Sequence, residues 1–230
     1  MLFFLLLIVF GACEGFLNTE GIWANALRLV NVIFAALLAT SFWEPLAAFL
    51  ESNVSASLTY FWDFVSLWLL FCVFLVIFRT VTGFASRVKV KFMGIVDRSG
   101  GAFLAACIGW VMVCFTLMTL HTAPLARNFL FGAFRPGEKM FLGMAPDQQW
   151  LSFMEVQSKG SFSRATPRVF DAEHEFIPKY TKRRASLEEA LKGASGPRGI
   201  LVSSGPKRTS GAAAPPEEAP PEEAEPAPPE

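Results

Sequence analysis

The chain has 230 residues, enough for one domain or two small ones, and its formal net charge of zero offers no single-signed field to a nucleic acid. That balance sums two unlike halves: residues 1–125 hold six basic and six acidic side chains among long apolar runs, and 126–230 hold fourteen of each. The four cysteines, Cys13, Cys72, Cys107 and Cys114, stand in apolar segments without the short paired spacing of a zinc site, so neither metal nor disulfide is expected.

Met1 to Leu17 is apolar except for Glu14 and as a helix would cover roughly 25 Å, a short but workable membrane span. The positive flank of a cleaved signal is missing and Phe10 occupies a position where a lipoprotein site wants an aliphatic residue, so the helix is expected to be retained. Ile22 to Trp43 is a second span, with Asn25, Arg28 and Asn31 in its first half. Arg28 can extend to the near interface, and the two asparagines are expected to bond neighbouring helices. Glu44-Pro45 should stop or redirect the chain before a short surface segment carrying Leu46, Phe49 and Leu50. Leu58 to Phe78 is a third span of 21 residues that opens with aromatic residues suited to an interface. Asp63 lies within that opening and is expected to be a solvated or capping carboxylate, with an intramembrane functional role as the rival.

Between Arg79 and Gly100, Val81, Phe84, Ala85, Val88 and Phe92 share one helical stripe, flanked by Arg87, Lys89 and Lys91. This pattern predicts a basic amphipathic helix, with Arg79, Arg87, Lys89 and Lys91 touching anionic lipid. Together with Arg98, these residues outnumber the basic residues of the loop before Leu58, which has none, and so place this side in the cytoplasm. Arg127, Arg135 and Lys139 after the last span pull the other way.

Gly101 to Leu120 is the fourth span, twenty residues without a charge. Gly101, Ala105 and Gly109 recur every fourth position and form a face that lets another helix approach closely. Asp97 precedes it, where a carboxylate favours a helix N-terminus, and Arg98 can reach lipid phosphate.

After Leu120 the apolar runs end. Asp147 can cap a helix carrying Trp150, Phe153 and Met154, and Pro178 can begin one carrying Tyr180, Leu187 and Leu191. Lys182-Arg183-Arg184 reads as a solvated face. The residues from Ala212 onward, rich in proline and glutamate, have almost nothing to bury and are expected to be disordered. The whole is an all-α membrane protein. A four-helix transmembrane domain (1–122) precedes an extramembrane segment with short helices (123–193) and a disordered tail (194–230).

No reactive constellation emerges. His174-Glu175 begins like a zinc-protease helix, but Pro178 stands where the second histidine belongs. Ser99-Gly100-Gly101 lacks the Gly-x-Ser-x-Gly frame, and Gly193 to Gly199 lacks the lysine of a phosphate loop. Neither catalysis nor a cofactor is expected.

Four spans, a proline after the second, a basic link before the fourth and the run Asp97, Arg98, Gly101, Ala105, Gly109 together resemble the colicin V production protein family, the CvpA-type bacterial inner-membrane proteins. The resemblance covers roughly residues 1–122. Its signature is Asp-Arg-x-x-Gly-x-x-x-Gly-x-x-x-Gly; Ala105 replaces the middle glycine, and Ile108 stands where an arginine is often found. Glu14-Gly15 stands where members commonly carry Arg-Gly. The resemblance implies a multi-pass inner-membrane protein of toxin production or export, or of envelope homeostasis, without catalytic residues. Its expected partners are the bilayer and other membrane proteins or further copies of itself, with no nucleic acid. The alternative is a small oligomeric transporter or channel in which Arg28, Asn31, Asp63 and Asn25 line a polar route.

Overall fold

The computed structural model describes residues 2–17, 21–53, 59–86, 93–123, 143–160, 170–171 and 174–191. Among them are six helices: α1 (Leu2–Leu17), α2 (Ile22–Asn53), α3 (Thr59–Ala85), α4 (Gly94–Thr122), α5 (Pro146–Lys159) and α6 (Phe176–Leu191). Arg87, Lys89 and Lys91, and the tail from residue 194, lie outside the described residues.

The apolar runs become helices because a chain in lipid must satisfy its backbone hydrogen bonds internally. α2, α3 and α4 are each long and apolar enough to cross a membrane, whereas α1 is a shorter apolar helix of 16 residues. α2 packs along α3 and α4. α1 runs antiparallel to α4: Leu2 and Leu6 are buried against Val113 and Leu117, and Phe10 lies at Gly109. Phe4 and Ile8, on the outer side of α1, are exposed as lipid-facing residues should be.

Two expected breaks do not occur. Pro45 lies inside α2, which continues from Ile22 to Asn53, so Leu46, Phe49 and Leu50 belong to its last turns instead of a separate surface segment. A helix-interior proline removes one amide donor and crowds the carbonyl four residues before it. Trp43 and Ala47, buried on either side, hold the helix against its neighbours and offset that loss. Likewise, Arg79 to Ala85 form the last two turns of α3, and Gly94 to Gly100 the first two of α4. The separate amphipathic helix expected between the third and fourth spans is therefore corrected in its first half, which extends α3 and needs no new nucleation, while its second half, 87–92, lies outside the described residues. Val81 and Phe84, the stripe residues there, are exposed.

The core is aromatic at its centre. Ala35, Ala36 and Ala39 of α2 are fully buried and let the backbones approach, while Leu67 and Phe71 of α3 meet Phe115 of α4. The Phe71 and Phe115 rings lie 4.9 Å apart, and Trp68 and Trp150 stand edge-on to Phe115 at 5.7 and 5.8 Å. Trp150 comes from α5, so the described part of the segment after the membrane helices packs into the bundle core. Trp150, Leu151 and Met154 of α5, with Phe176 and Tyr180 of α6, are buried in the same cluster as the long helices.

α5 and α6 thus cap one end of the bundle, where α2 and α4 finish and α3 begins. From Ile22 to Thr40, and from Asp97 to Phe115, the chain climbs roughly 27 Å, close to the ~30 Å hydrocarbon thickness of a bilayer. Thr40 and Phe115 are both residues that touch Trp150.

Candidate functional site

The signature residues of α4 serve junctions with two other helices. Asp97, in the first turn of α4, accepts a hydrogen bond from the backbone N–H of Ile22 through Oδ1 at 2.9 Å. It therefore caps α2, placing a negative charge at the positive end of a helix other than its own. Gly21 makes room for this: a Cβ there would lie 2.6 Å from the Asp97 Oδ2. One turn on, the buried Asn25 amide donates to the Gly101 carbonyl at 2.9 Å. Two turns further, a Cβ on Gly109 would lie 2.9 Å from the Phe10 ring of α1 and 3.4 Å from the Phe10 carbonyl. Ala105, between them, is fully buried. The small-residue seam is thus shared: its first position meets α2 and its last meets α1. Arg98 is exposed beside Asp97.

Arg28 donates to the Asn25 side chain at 3.3 Å, and Asn31 donates to Thr82 of α3 at 2.9 Å. Trp23 donates to Ser86 at 2.9 Å. These contacts tie the start of α2 to the end of α3 and the start of α4. Arg79 is exposed on α3, in the same end of the bundle.

Asp63 is not with Arg28 and Asn31. It lies at the opposite end, beyond the aromatic layer, fully buried and paired through Oδ2 with Arg183 Nη1 of α6 at 2.6 Å. The expectation of a solvated or capping carboxylate is corrected, and so is that of a solvated Lys182-Arg183-Arg184 face: Arg183 turns inward and keeps only 22% of its side chain exposed. A buried carboxylate needs a charged or hydrogen-bonded partner, and α6 brings one to it. The Arg183 guanidinium also stands 5.8 Å from the Tyr180 ring centroid, within cation–π range.

A second buried pair was missed by sequence reasoning. His121 Nε2 and Asp147 Oδ2 meet at 2.9 Å, both side chains wholly inaccessible. Asp147 was expected to cap α5; instead α5 starts after Ala145 without a side-chain cap, and Asp147 turns to α4. Gln149 accepts from Trp110 Nε1 at 3.1 Å and lies 3.9 Å from the Cys114 thiol. Trp150 donates to Thr40 at 3.3 Å. The only signals for these pairings were a lone histidine at the end of a span and a tryptophan in a polar segment.

Burial pushes the Tyr180 phenol well above the usual tyrosine range, with Arg183 pulling part of the way back and Glu44 adding to the rise. The hydrogen bond from Lys159 holds the Glu155 carboxyl below its usual range on the outer face of α5. Among the described residues, no group of His, Cys, Asp and Glu is arranged to hold a metal ion.

No curated protein and no solved structure matches the chain. The family model described as Colicin V production protein matches residues 2–133, which take in α1 to α4 and the whole Asp97–Gly109 seam. The chain belongs to the colicin V production protein family.

Proposed function

We propose that the protein is a non-enzymatic accessory of the bacterial inner membrane that supports production or export of a peptide toxin, or envelope homeostasis, through helix packing and contacts with other membrane proteins or its own copies. The observation that carries this reading is the use made of the signature: Asp97, Gly101 and Gly109 each serve a helix junction. Such a constellation builds a scaffold, not a reaction centre. The family supports the toxin-related role as an expectation about this member.

A transport route through Asn25, Arg28, Asn31 and Asp63 draws less support. The first three bond one another or adjacent helices, Asp63 is held by Arg183, and the Phe71–Phe115 layer with its buried alanines separates the two groups. In the proposed orientation, the end bearing Arg79 and Arg98 faces the cytoplasm and anionic lipid, and α5 and α6 lie on the outer side.

The test is complementation of a bacterium that lacks its own family member but retains toxin export genes. Restored export by this chain, and its loss with Gly109→Leu, would support the reading. Restored export by Gly109→Leu at normal membrane levels would refute the scaffold role. Proton or ion flux in liposomes that Asp63→Asn abolishes would favour transport instead.

A further inference from the structure

We propose that the neighbouring ends of α3 and α4 are seated in the bilayer surface: Val81, Phe84, Met93, Ile95 and Val96 sit among lipid, and Arg79 and Arg98 hold the phosphates of anionic lipid. This deepens the placement of that end at anionic lipid, on which it rests, by naming the side chains that enter the membrane. The two ends form one surface because adjacent residues of α2 hold both. Trp23 donates to Ser86 just past α3, and the Ile22 amide donates to Asp97 in the first turn of α4.

Ile95, Met93 and Phe84 are 87%, 83% and 71% exposed, more than any other large apolar side chain among the described residues. In water their apolar area would stay unburied. Both ends continue the sides of α3 and α4 that face lipid within the span, since Val73, Val76 and Ile77 are exposed ahead of Val81, and Phe103 after Val96. The polar side chains exposed along these sides are Arg79, Thr80, Arg98 and Ser99. Thr80 donates to the Val76 carbonyl at 2.8 Å and Ser99 to the Ile95 carbonyl at 2.9 Å, so both hydroxyls are satisfied within their own helix and tolerate lipid. That leaves two outward charges, both positive, because Asp97 turns to Ile22. Anionic lipid phosphate complements them. Phe84 is five residues beyond Arg79 and Ile95 three before Arg98, roughly 7.5 and 4.5 Å along a helix, while the headgroup layer is about 5–8 Å thick on each side. Arginines at the phosphates therefore keep both tips within that layer. An acidic protein would also answer the cations, but the continuity with the lipid-facing sides favours the bilayer.

The experiment uses the full chain with its cysteines changed to serine and one new thiol, Phe84→Cys or Ile95→Cys, labelled with bimane. Val76→Cys serves as the lipid reference and Lys182→Cys, on the exposed side of α6, as the aqueous one. Each protein is placed in vesicles of phosphatidylcholine, with and without phosphatidylglycerol, and quenched by acrylamide on both sides or by nitroxide on the acyl chains. With phosphatidylglycerol present, acrylamide should quench the Phe84 and Ile95 labels at least about fivefold less than the Lys182 label, and the acyl-chain nitroxide should reach them as it reaches Val76. Arg79→Gln with Arg98→Gln, or omission of phosphatidylglycerol, should raise acrylamide quenching at Ile95. Labels as open to acrylamide as Lys182 in both lipid mixtures would overturn the proposal. Protection that appears in native membranes but not in these vesicles would overturn it in favour of an acidic protein partner. Protection indifferent to both phosphatidylglycerol and the arginines would overturn the phosphate contact. Because acrylamide is present on both sides, an orientation opposite to the one proposed leaves these results unchanged. That orientation is read separately, from the reaction of Lys182→Cys with an impermeant maleimide added outside spheroplasts.

Discussion

Asp63 and Arg183 stand 120 positions apart in the chain and meet at 2.6 Å, the carboxylate fully buried at the head of α3 and the guanidinium reaching in from α6. Removing one partner takes from the other a charge-assisted hydrogen bond in a largely apolar setting. Asp63→Asn and Arg183→Gln should each destabilise the fold by about 3 kcal/mol, the low end of the ~3–5 kcal/mol usual for buried pairs, because Arg183 keeps some access to solvent. Replacing both, Asp63→Leu with Arg183→Met, should bring stability back to within about 1 kcal/mol of the parent, since a packed apolar pair needs no desolvation of charge. Tryptophan fluorescence during denaturation in detergent measures both; single variants as stable as the parent would show that the pair contributes little.

Gly109 is where α1 crosses α4, and the space a Cβ would take is already held by Phe10. Gly109→Leu should overpack this crossing by ~1–3 kcal/mol or more and loosen α1, whereas Ala105→Gly should cost about 1 kcal/mol, its helix-propensity loss. Phe10→Ala placed on Gly109→Leu should recover part of the loss, because the new side chain fills the vacated ring site. Thermal unfolding of the parent, the three variants and Phe10→Ala alone checks the order, and additive effects of the Phe10 and Gly109 changes would contradict the contact.

What composition could reveal was the apolar helices and the seam on α4, because a run of uncharged residues and a four-residue repeat of small ones are local patterns. The partners of that seam were not legible: nothing in the spacing of Gly101, Ala105 and Gly109 says that one end faces Asn25 of α2 and the other Phe10 of α1. Asp63 and Lys182-Arg183-Arg184 read as solvated when taken separately. Each is costly to bury alone, and only the fold brings Arg183 to the carboxylate. Pro45 misled for a related reason. Its local preference is to end a helix, and burial of Trp43 and Ala47 overrides it.

Asp97 caps α2 from α4, so its removal should be felt on the other helix. Asp97→Ala should cost ~0.5–2 kcal/mol, while Asp97→Asn, which keeps an acceptor oxygen, should cost less. Gly21→Ala should be poorly tolerated in the parent, where the new Cβ would press on the carboxylate, and much milder once Asp97→Ala has removed it. The interaction between the two changes, read from a double-mutant cycle, should therefore be favourable and near 1 kcal/mol or above. Hydrogen exchange at the first turn of α2 should quicken in Asp97→Ala; unchanged protection there would contradict the capping role.

Tyr180 supplies a pH dependence of definite sign. Its phenol is buried against Trp43 and Phe176, and burial raises its pKa above the unfolded value of about 10. A raised folded value means that the folded state holds the proton more tightly than the unfolded chain. The resulting stability is fully present below about pH 10 and is lost progressively as pH climbs above it toward the folded value. The chain has two tyrosines, so Tyr60→Phe leaves Tyr180 as the sole phenol to follow by tyrosinate absorbance. In that background, absorbance should stay flat through the ordinary tyrosine range and rise only as the cap unfolds. Breaking the neighbouring Asp63–Arg183 pair with Asp63→Asn should bring the rise to lower pH, because weaker seating of α6 lets water reach the ring. A titration centred near pH 10 in the otherwise unaltered protein would mean that Tyr180 is solvated and the cap is not seated as described.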